Sequence, residues 1–514
     1  MSRILSLGPP ITVKATQKEG VDELFSRSGE EALVVEKEGR FLGLLSRLVW
    51  EKARLYRLSL TPEELVFEIP EFQDAEPEEI FLYLKNPLER VFWKGSLLSL
   101  REFWAFFPER SFKGRRLSLK PPLSLLRERV LKLARDLKTG VFLVGGAVRD
   151  LLLEKEVFDI DLVITSNCQA FAQALSESLE APLVKSSLFG TFKLSWQGLE
   201  IDLAQARWEY YEAPARLPKV APGSLSWDLF RRDFTINTLA LELEELTLID
   251  FYGGERDLAG SRLEVLHTMS LVDDPTRIFR AARYATRFNL KPTRNFERAL
   301  ALAKKFRALS LLSPARLKNE LKRILMEKDP WAVFGWLSEA GLLGDIGLEK
   351  ENLRSLKELL KDPSYSALKD EEKLEAVLLV LTPPEDLARF GISPQRSKNL
   401  LSFLKILVSR KDLLHPSRPL SEKVFFLEKA PLSALLAFKA LFPEFRREID
   451  LALSARRARP HLNGDDLLRL GVSPGPLVGE MLKRLRAAKI DGLLKDREDE
   501  ISFLKKEYPH VFSS

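Results

Sequence analysis

Asp159 and Asp161 stand two residues apart in FDIDLVI, a β-rich run. In a strand, that spacing points both carboxylates to one face. Two acids side by side on a rigid strand repel each other unless cations hold them, and hard oxygen ligands of this kind suit Mg²⁺. Just upstream, VFLV stops at Gly145-Gly146, and AVRDLLL follows with Val148, Leu151 and Leu152 on one helical side. The double glycine lets the backbone come close to a ligand, and the helix N-terminus after it favours a phosphate. Arg149 is placed to add a fixed positive fork. Alone, a Gly-Gly turn or an Asp-x-Asp strand is usually plain architecture. In this order, between Val141 and Asn167, they point to a divalent metal beside a phosphate.

The stretch GGAVRDLLL followed by DIDLVIT resembles the signature of the nucleotidyltransferase superfamily that includes DNA polymerase β. In detail it is similar to the bacterial-type (class II) tRNA nucleotidyltransferases and poly(A) polymerases, which extend an RNA 3′ end without a nucleic-acid template. The resemblance implies that Gly146 and Arg149 cradle a triphosphate and that Asp159 and Asp161 hold Mg²⁺. Asp202 in LEIDLAQA is a candidate third metal carboxylate, or else a strand acid with a structural partner. RRDFTINTLAL, from Arg231 to Leu241, matches the family's second motif and assigns Arg232 to the triphosphate and Asp233 to the ribose hydroxyls. A carboxylate accepting from a 2′-OH selects ribonucleotides. Asn237, four residues on, shares that face. DFYGGERDLAG, from Asp250 to Gly260, matches a third motif, read as structural, with Asp257 bracing a turn at Gly253-Gly254.

LVDDPTRIFRAARYATRF opens a helix at Pro275. Arg277, Arg280, Arg283 and Arg287 fall on one face of it, at spacings of three, three and four. Such a stripe is most often a solvated face or a general RNA contact. The family resemblance is sharper: it makes Asp274 and Arg277 the pair that reads the incoming base, with Arg280 and Arg283 contacting the nucleotide. Cytosine and adenine each show an exocyclic amine beside an unprotonated ring nitrogen. A carboxylate accepts from the amine and a guanidinium donates to the nitrogen. Uracil and guanine reverse that pattern, and each mismatched buried group costs roughly 1–3 kcal/mol. One departure stands out: Asp273 occupies a position where the family usually has glutamate.

These residues need a scaffold, and 514 residues at 45% hydrophobic allow several cores. The fold class expected is multi-domain: an α+β polymerase-β-like head over 123–270, a helical neck over 271–330, and a helical body and tail over 331–514. Residues 1–120 read as a small α/β module that resembles a cystathionine-β-synthase-type (CBS) domain pair with a degenerate second copy. ALVVEKEGRFLGLLS is its hairpin, turning at Glu38-Gly39. Such modules often bind adenosine nucleotides, so an adenine nucleotide is a candidate ligand there. Arg110 to Pro122 reads as a basic linker, Leu123 to Leu137 as a helix, and Asn167 as a helix N-cap. Ala206 to Leu229 resembles the family's mobile loop, here of full length, which leans toward addition of a terminal adenosine. Ser313 is a natural N-cap ahead of Pro314. Near the end, Gly475, Gly479, Lys483 and Arg484 are candidate phosphate contacts for RNA.

Net charge is +6, with 30% charged residues, which fits a nucleic-acid partner without demanding one. Cys168 is the only cysteine and the four histidines are scattered, which argues against disulfides within the chain and against cysteine or histidine metal clusters. No early h-region or membrane-length apolar run occurs, so a cytoplasmic protein is expected. The expected partners are the tRNA 3′ acceptor end with ATP and/or CTP. Within the class the rival is a poly(A) polymerase on general RNA. Outside it stand a nucleotide-sensing RNA-binding protein with a dead head, and a transferase acting on protein or a small molecule.

Overall fold

The computed structural model describes residues 16–28, 32–69, 115–185 and 190–512, with short strands at 12–14, 71–72, 90–93 and 96–99. The chain forms two compact units, Met1–Leu312 and Ser313–Ser514.

The first unit begins with β1 (Thr12–Lys14), α1 (Val21–Ser28), β2 (Ala32–Lys37), β3 (Arg40–Ser46) and α2 (Arg47–Leu55). β1 runs parallel to β2, and β2 antiparallel to β3. The hairpin turns where expected: Glu38 and Gly39 both have positive φ, 52° and 76°, the two-residue turn that matches strand twist. A second small sheet repeats the arrangement. β4 (Glu71–Phe72) is parallel to β5 (Arg90–Trp93), which is antiparallel to β6 (Ser96–Ser99). The rest of the expected second copy, and residues 110–114 of the expected linker, lie outside the described residues. From Arg115 onward the segment is not a free linker. Leu248 N donates to Arg115 O at 2.8 Å and Leu117 N to Leu246 O at 2.9 Å. The cause is apolar: Leu117 and Leu119 pack on the core of the neighbouring sheet.

That sheet is the centre of the unit. α3 (Leu123–Asp136) buries Leu123, Leu126 and Val130, a helical stripe. After it come β7 (Val141–Val144), α4 (Gly146–Leu152), β8 (Asp159–Ile164), α5 (Cys168–Leu179), β9 (Val184–Lys185), β10 (Phe192–Trp196) and β11 (Leu199–Gln205). A ribbon of β12 (Arg207–Tyr210) and β13 (Lys219–Pro222) leads into α6 (Leu225–Phe230), followed by β14 (Ala240–Glu242) and β15 (Leu248–Ile249). The sheet order is β15-β14-β7-β8-β11-β10-β9. Asn167 does not cap α5 with its side chain; it is left-handed, φ 56°, and only its carbonyl accepts, from Phe171 N at 3.0 Å. The stretch expected as a mobile loop is thus a short antiparallel ribbon plus a helix.

Strand parity assigns the two faces of the sheet. Val141, Leu143, Ile160, Leu162, Ile201 and Leu203 join α3 and α5 in one core. Val144 and Val163 face the other way, toward Leu225 and Leu229 of α6. Asp159 and Asp161 share the parity of Val163, so they stand on the face away from α3 and α5. Beyond the sheet lie α7 (Gly254–Ala259), α8 (Thr276–Phe288) and α9 (Arg294–Lys305).

In the second unit, every regular element among the described residues is helical. α10 (Pro314–Leu325) starts as expected, with Arg316 N donating to Ser313 Oγ at 3.4 Å. α11 (Asp370–Leu381) and α12 (Leu432–Leu441) are buried on nearly all sides and pack on each other. α13 (Pro476–Ile490) sits in a separate apolar cluster with Leu462, Leu467, Leu504 and Tyr508. No helix among the described residues is long and apolar enough to cross a membrane.

Candidate active site

The open face of the sheet carries a row of charges fixed by register. Asp161 on β8 lies directly across from Asp202 on β11, and Asp202 across from Lys193 on β10. Lys193 Nζ bonds both Asp202 oxygens, at 2.6 and 2.7 Å. Burial, then the Asp202 and Asp159 carboxylates, push the Asp161 carboxyl up, against the pull of Arg232. Among the described residues, no three His, Cys, Asp or Glu side chains are grouped to hold a metal ion by themselves. Asp202, expected as a third ligand or as a strand acid with a structural partner, is paired with the Lys193 ammonium. What remains is a donor set of two hard carboxylates, Asp159 and Asp161, with cations already drawn to the row. That set fits Mg²⁺, which usually takes one or two carboxylates and fills its remaining positions with water and substrate phosphates.

The glycine turn sits beside this row. Gly145 has φ 71° and ψ −130°, a conformation that essentially only glycine adopts. A Cβ there would lie 2.5 Å from Arg232 Nη1 and 3.5 Å from Asp161 Oδ2. Gly146 is more relaxed; its Cβ would meet only Arg149 Nη2, at 3.5 Å. Arg232 therefore crosses the turn next to the acids. Its Nε is buried without a hydrogen-bond partner, a donor left unmatched at the mouth of the site. Asp228, fully buried on α6, holds Arg231 at 2.8 Å and Arg232 at 3.3 Å. Sequence reading missed Asp228, although its i, i+3 and i+4 spacing to the two arginines was a usable signal.

Arg149 is only 4% exposed and is turned inward. It donates to Asn237 Oδ1 at 2.5 Å and to Asp150 Oδ1 at 2.9 Å, and its guanidinium lies 4.5 Å from the Phe288 ring centroid. Asn237 in turn donates to Asp233 Oδ1 at 2.9 Å, and Arg280 Nε donates to Asp233 Oδ2 at 2.6 Å. Burial alone would raise the Asp233 carboxyl, but Arg280 and these bonds outweigh it and hold it below the usual range. The chain Arg149–Asn237–Asp233–Arg280 thus ties the first motif, the second motif and α8 together.

On α8 the arginine stripe grades outward. Arg277 is buried, Arg280 and Arg283 are half-buried and Arg287 is exposed. Arg277 donates to Ser270 Oγ at 2.5 Å and to the Arg231 carbonyl at 2.6 Å, and its charge helps lower Asp233. Asp274 caps α8, its Oδ1 accepting from Thr276 N at 3.1 Å and Thr276 Oγ1 at 2.6 Å. The third motif braces this region from below. Thr235 Oγ1 donates to Asp257 at 2.7 Å, and a Cβ on Gly254 would strike Thr235 O at 2.2 Å.

In the second unit, Gly475 precedes α13 and Gly479 lies in its first turns; a Cβ on either would meet nothing within 4 Å. Lys483 lies over the Phe425 ring at 5.9 Å, and Arg484 pairs with Glu507 at 2.8 Å.

Residues 141–264 match a family model described as the Poly A polymerase head domain. The chain is 30% identical to an A-adding tRNA nucleotidyltransferase of Geobacter sulfurreducens over 97% of its own length, and spans 63% of that relative. It is 30% identical to an A-adding tRNA nucleotidyltransferase of Halalkalibacterium halodurans over 75% of its length and 92% of the relative. Among solved structures, a Thermotoga maritima CCA-adding enzyme complexed with tRNA matches with a TM-score of 0.64 at 28% identity, covering 77% of this chain and 99% of that one.

Proposed function

The chain belongs to the tRNA nucleotidyltransferase family, and on that premise we propose that it adds C and/or A to the 3′ end of tRNA without a nucleic-acid template, the terminal A above all. The observation that carries the reading is the placement of Asp161 and Arg232 against the Gly145 turn, with Asp159 on the same face of β8. Both relatives described above are named for A addition, which supports the leaning toward adenosine.

In the reaction, the RNA 3′-OH attacks the nucleotide α-phosphate in line and pyrophosphate leaves. Mg²⁺ held by Asp159 and Asp161 would supply Lewis-acid polarisation and ease loss of the 3′-OH proton. Arg232, with its unmatched Nε, neutralises phosphate charge, and the Gly145-Gly146 turn lets the backbone approach it. Asp233, kept ionised by Arg280 and oriented by Asn237, accepts from the ribose hydroxyls. Arg149 braces that acid through Asn237. Asp274 and Arg277 read the base edge, and Arg280 and Arg283 flank the nucleotide. Gly475, Gly479, Lys483 and Arg484 contribute to holding RNA. The N-terminal strand–helix–strand–strand–helix unit is read as CBS-like, with an adenine nucleotide as its ligand class.

The test offers tRNAs lacking CCA, CA or only A, with each nucleoside triphosphate singly, and reads added length on a gel. Addition of a single A to tRNA ending in CC is expected. Long tails on unrelated RNA would favour a poly(A) polymerase instead, and no addition to any tRNA would overturn the reading.

A further inference from the structure

Asp273, next to Asp274, has its carboxylate gripped from outside the head. Lys52 on α2 of the N-terminal module makes a buried ion pair with Oδ2; Lys52 is 9% exposed and Asp273 1%. Tyr56, just past the end of α2, donates to Oδ1 at 2.6 Å and lies 3.3 Å from the Tyr211 carbonyl. His267 Nε2 approaches Oδ2 at 3.7 Å, and burial followed by the charges of Lys52 and Arg277 holds this imidazole well below its usual range, hence neutral. The Asp273 carbonyl is also taken, by Ala215 N at 3.1 Å. An aspartate has a short stem, so a carboxylate held this firmly also holds its backbone. The next residue, Asp274, is the one that caps α8 and carries the acid of the base-reading pair. A cavity of about 420 Å³ is lined by Leu48 and Lys52 of α2 together with Trp208, Tyr211, Asp273 and Arg277.

We propose that Lys52 and Tyr56 are positioning residues for base selection: by fixing Asp273 they set the turn that presents Asp274 opposite Arg277, so the N-terminal module sharpens the choice of nucleotide. This rests on the transferase reading above. It makes the module part of the selecting apparatus whether or not the module binds a ligand of its own. An unpaired Asp273 would leave a buried charge, and relief of that charge would move the turn.

Full-length Lys52→Met, Lys52→Arg, Tyr56→Phe and Arg54→Gln are compared with wild type for addition to tRNA ending in CC, using ATP, CTP, UTP and GTP. Lys52→Met is expected to raise KM for ATP about tenfold, with kcat at saturating ATP within about twofold, because the turn is misplaced while the acids and Arg232 are not. Incorporation of U and G relative to A rises with it. Lys52→Arg recovers most of the selectivity, and Tyr56→Phe shifts it in the same direction as Lys52→Met but less. Arg54→Gln breaks only an exposed pair with Asp22 on the same module and matches wild type. Thermal melting reports folding, and if Lys52→Met fails to fold, Tyr56→Phe decides, since it removes a single hydroxyl. Wild-type KM and base choice in a folded Lys52→Met, or in Tyr56→Phe, overturn the inference and leave the transferase reading standing. A wild type that extends no tRNA overturns both.

Discussion

Arg232 lies over Gly145 so closely that a single methyl on the glycine would sit 2.5 Å from its Nη1. The backbone at Gly145 is also one that a side chain resists, at φ 71° and ψ −130°. Gly145→Ala is therefore expected to cost about 1–3 kcal/mol of stability. It also displaces the arginine from Asp161, and a shift of about 1 Å there is expected to lower turnover roughly 100-fold. Thermal unfolding and steady-state transfer assays on the same preparation check both effects. Turnover near wild type would remove Arg232 from the chemistry.

Asp159→Ala is expected to abolish transfer while leaving nucleotide binding without metal largely intact. Stripping divalent ions from the wild type should silence it in the same way, with Mg²⁺ restoring activity to the wild type and not to the variant. Equilibrium binding of ATP beside product gels separates the two effects.

Asp233→Asn keeps the shape but removes the charge that Arg280 and Asn237 hold in place. Discrimination of ATP against dATP should fall by roughly tenfold or more, as one charged hydrogen bond to a 2′-OH is weakened. The ratio of kcat/KM for the two nucleotides measures it; an unchanged ratio places the ribose elsewhere.

Glu264 gives a pH signature. Burial pushes its carboxyl up to about 7, with Asp257 adding to the effect and the bonds from Thr293 and Asn295 opposing it. Its folded pKa exceeds the ordinary glutamate value of 4.5, so the folded state binds the proton more tightly. The associated stability is present below about pH 4.5 and is lost as pH rises through about 7. Relative to Glu264→Gln, the wild type should lose roughly 3 kcal/mol of unfolding free energy between pH 4.5 and 8. Denaturant melts of both proteins at several pH values would show it, and parallel stability curves would refute it.

Gly479→Ala places a methyl where nothing lies within 4 Å. In a helix interior that change is expected to stabilise by about 0.5–1 kcal/mol. If RNA phosphates approach this backbone, KM for tRNA rises while that for ATP does not. A variant that is more stable and binds tRNA as well as wild type would remove Gly479 from the RNA path.

Much of the site was legible because its information is local. Period-two alternation set the parity of Asp159 and Asp161, and Asp274-Pro275 marked the start of α8. The turn at Gln197-Gly198, both with positive φ, fixes β10 against β11, so the pairing of Lys193 with Asp202 was also within reach. Other features depend on contacts no window contains. Two adjacent glycines do not reveal which one takes the strained backbone. Asn237 turns Arg149 inward from far along the chain, and Lys52 reaches Asp273 across 221 residues. From Arg115 onward the expected linker is packed for a related reason: Leu117 and Leu119 stand in a basic, proline-bearing stretch, and the core they cover comes from residues far along the chain.

The two-sidedness of the sheet has a corollary for insertions and deletions. A substitution along β8 alters one position, but deletion of Leu162 with Val163 and Ile164 held in register would turn Ile160 to the open face and drive Asp159 and Asp161 into the oily layer beneath. Count and pleat are locked together there: a changed letter acts at its own position, whereas a changed count inverts both faces of the strand at once.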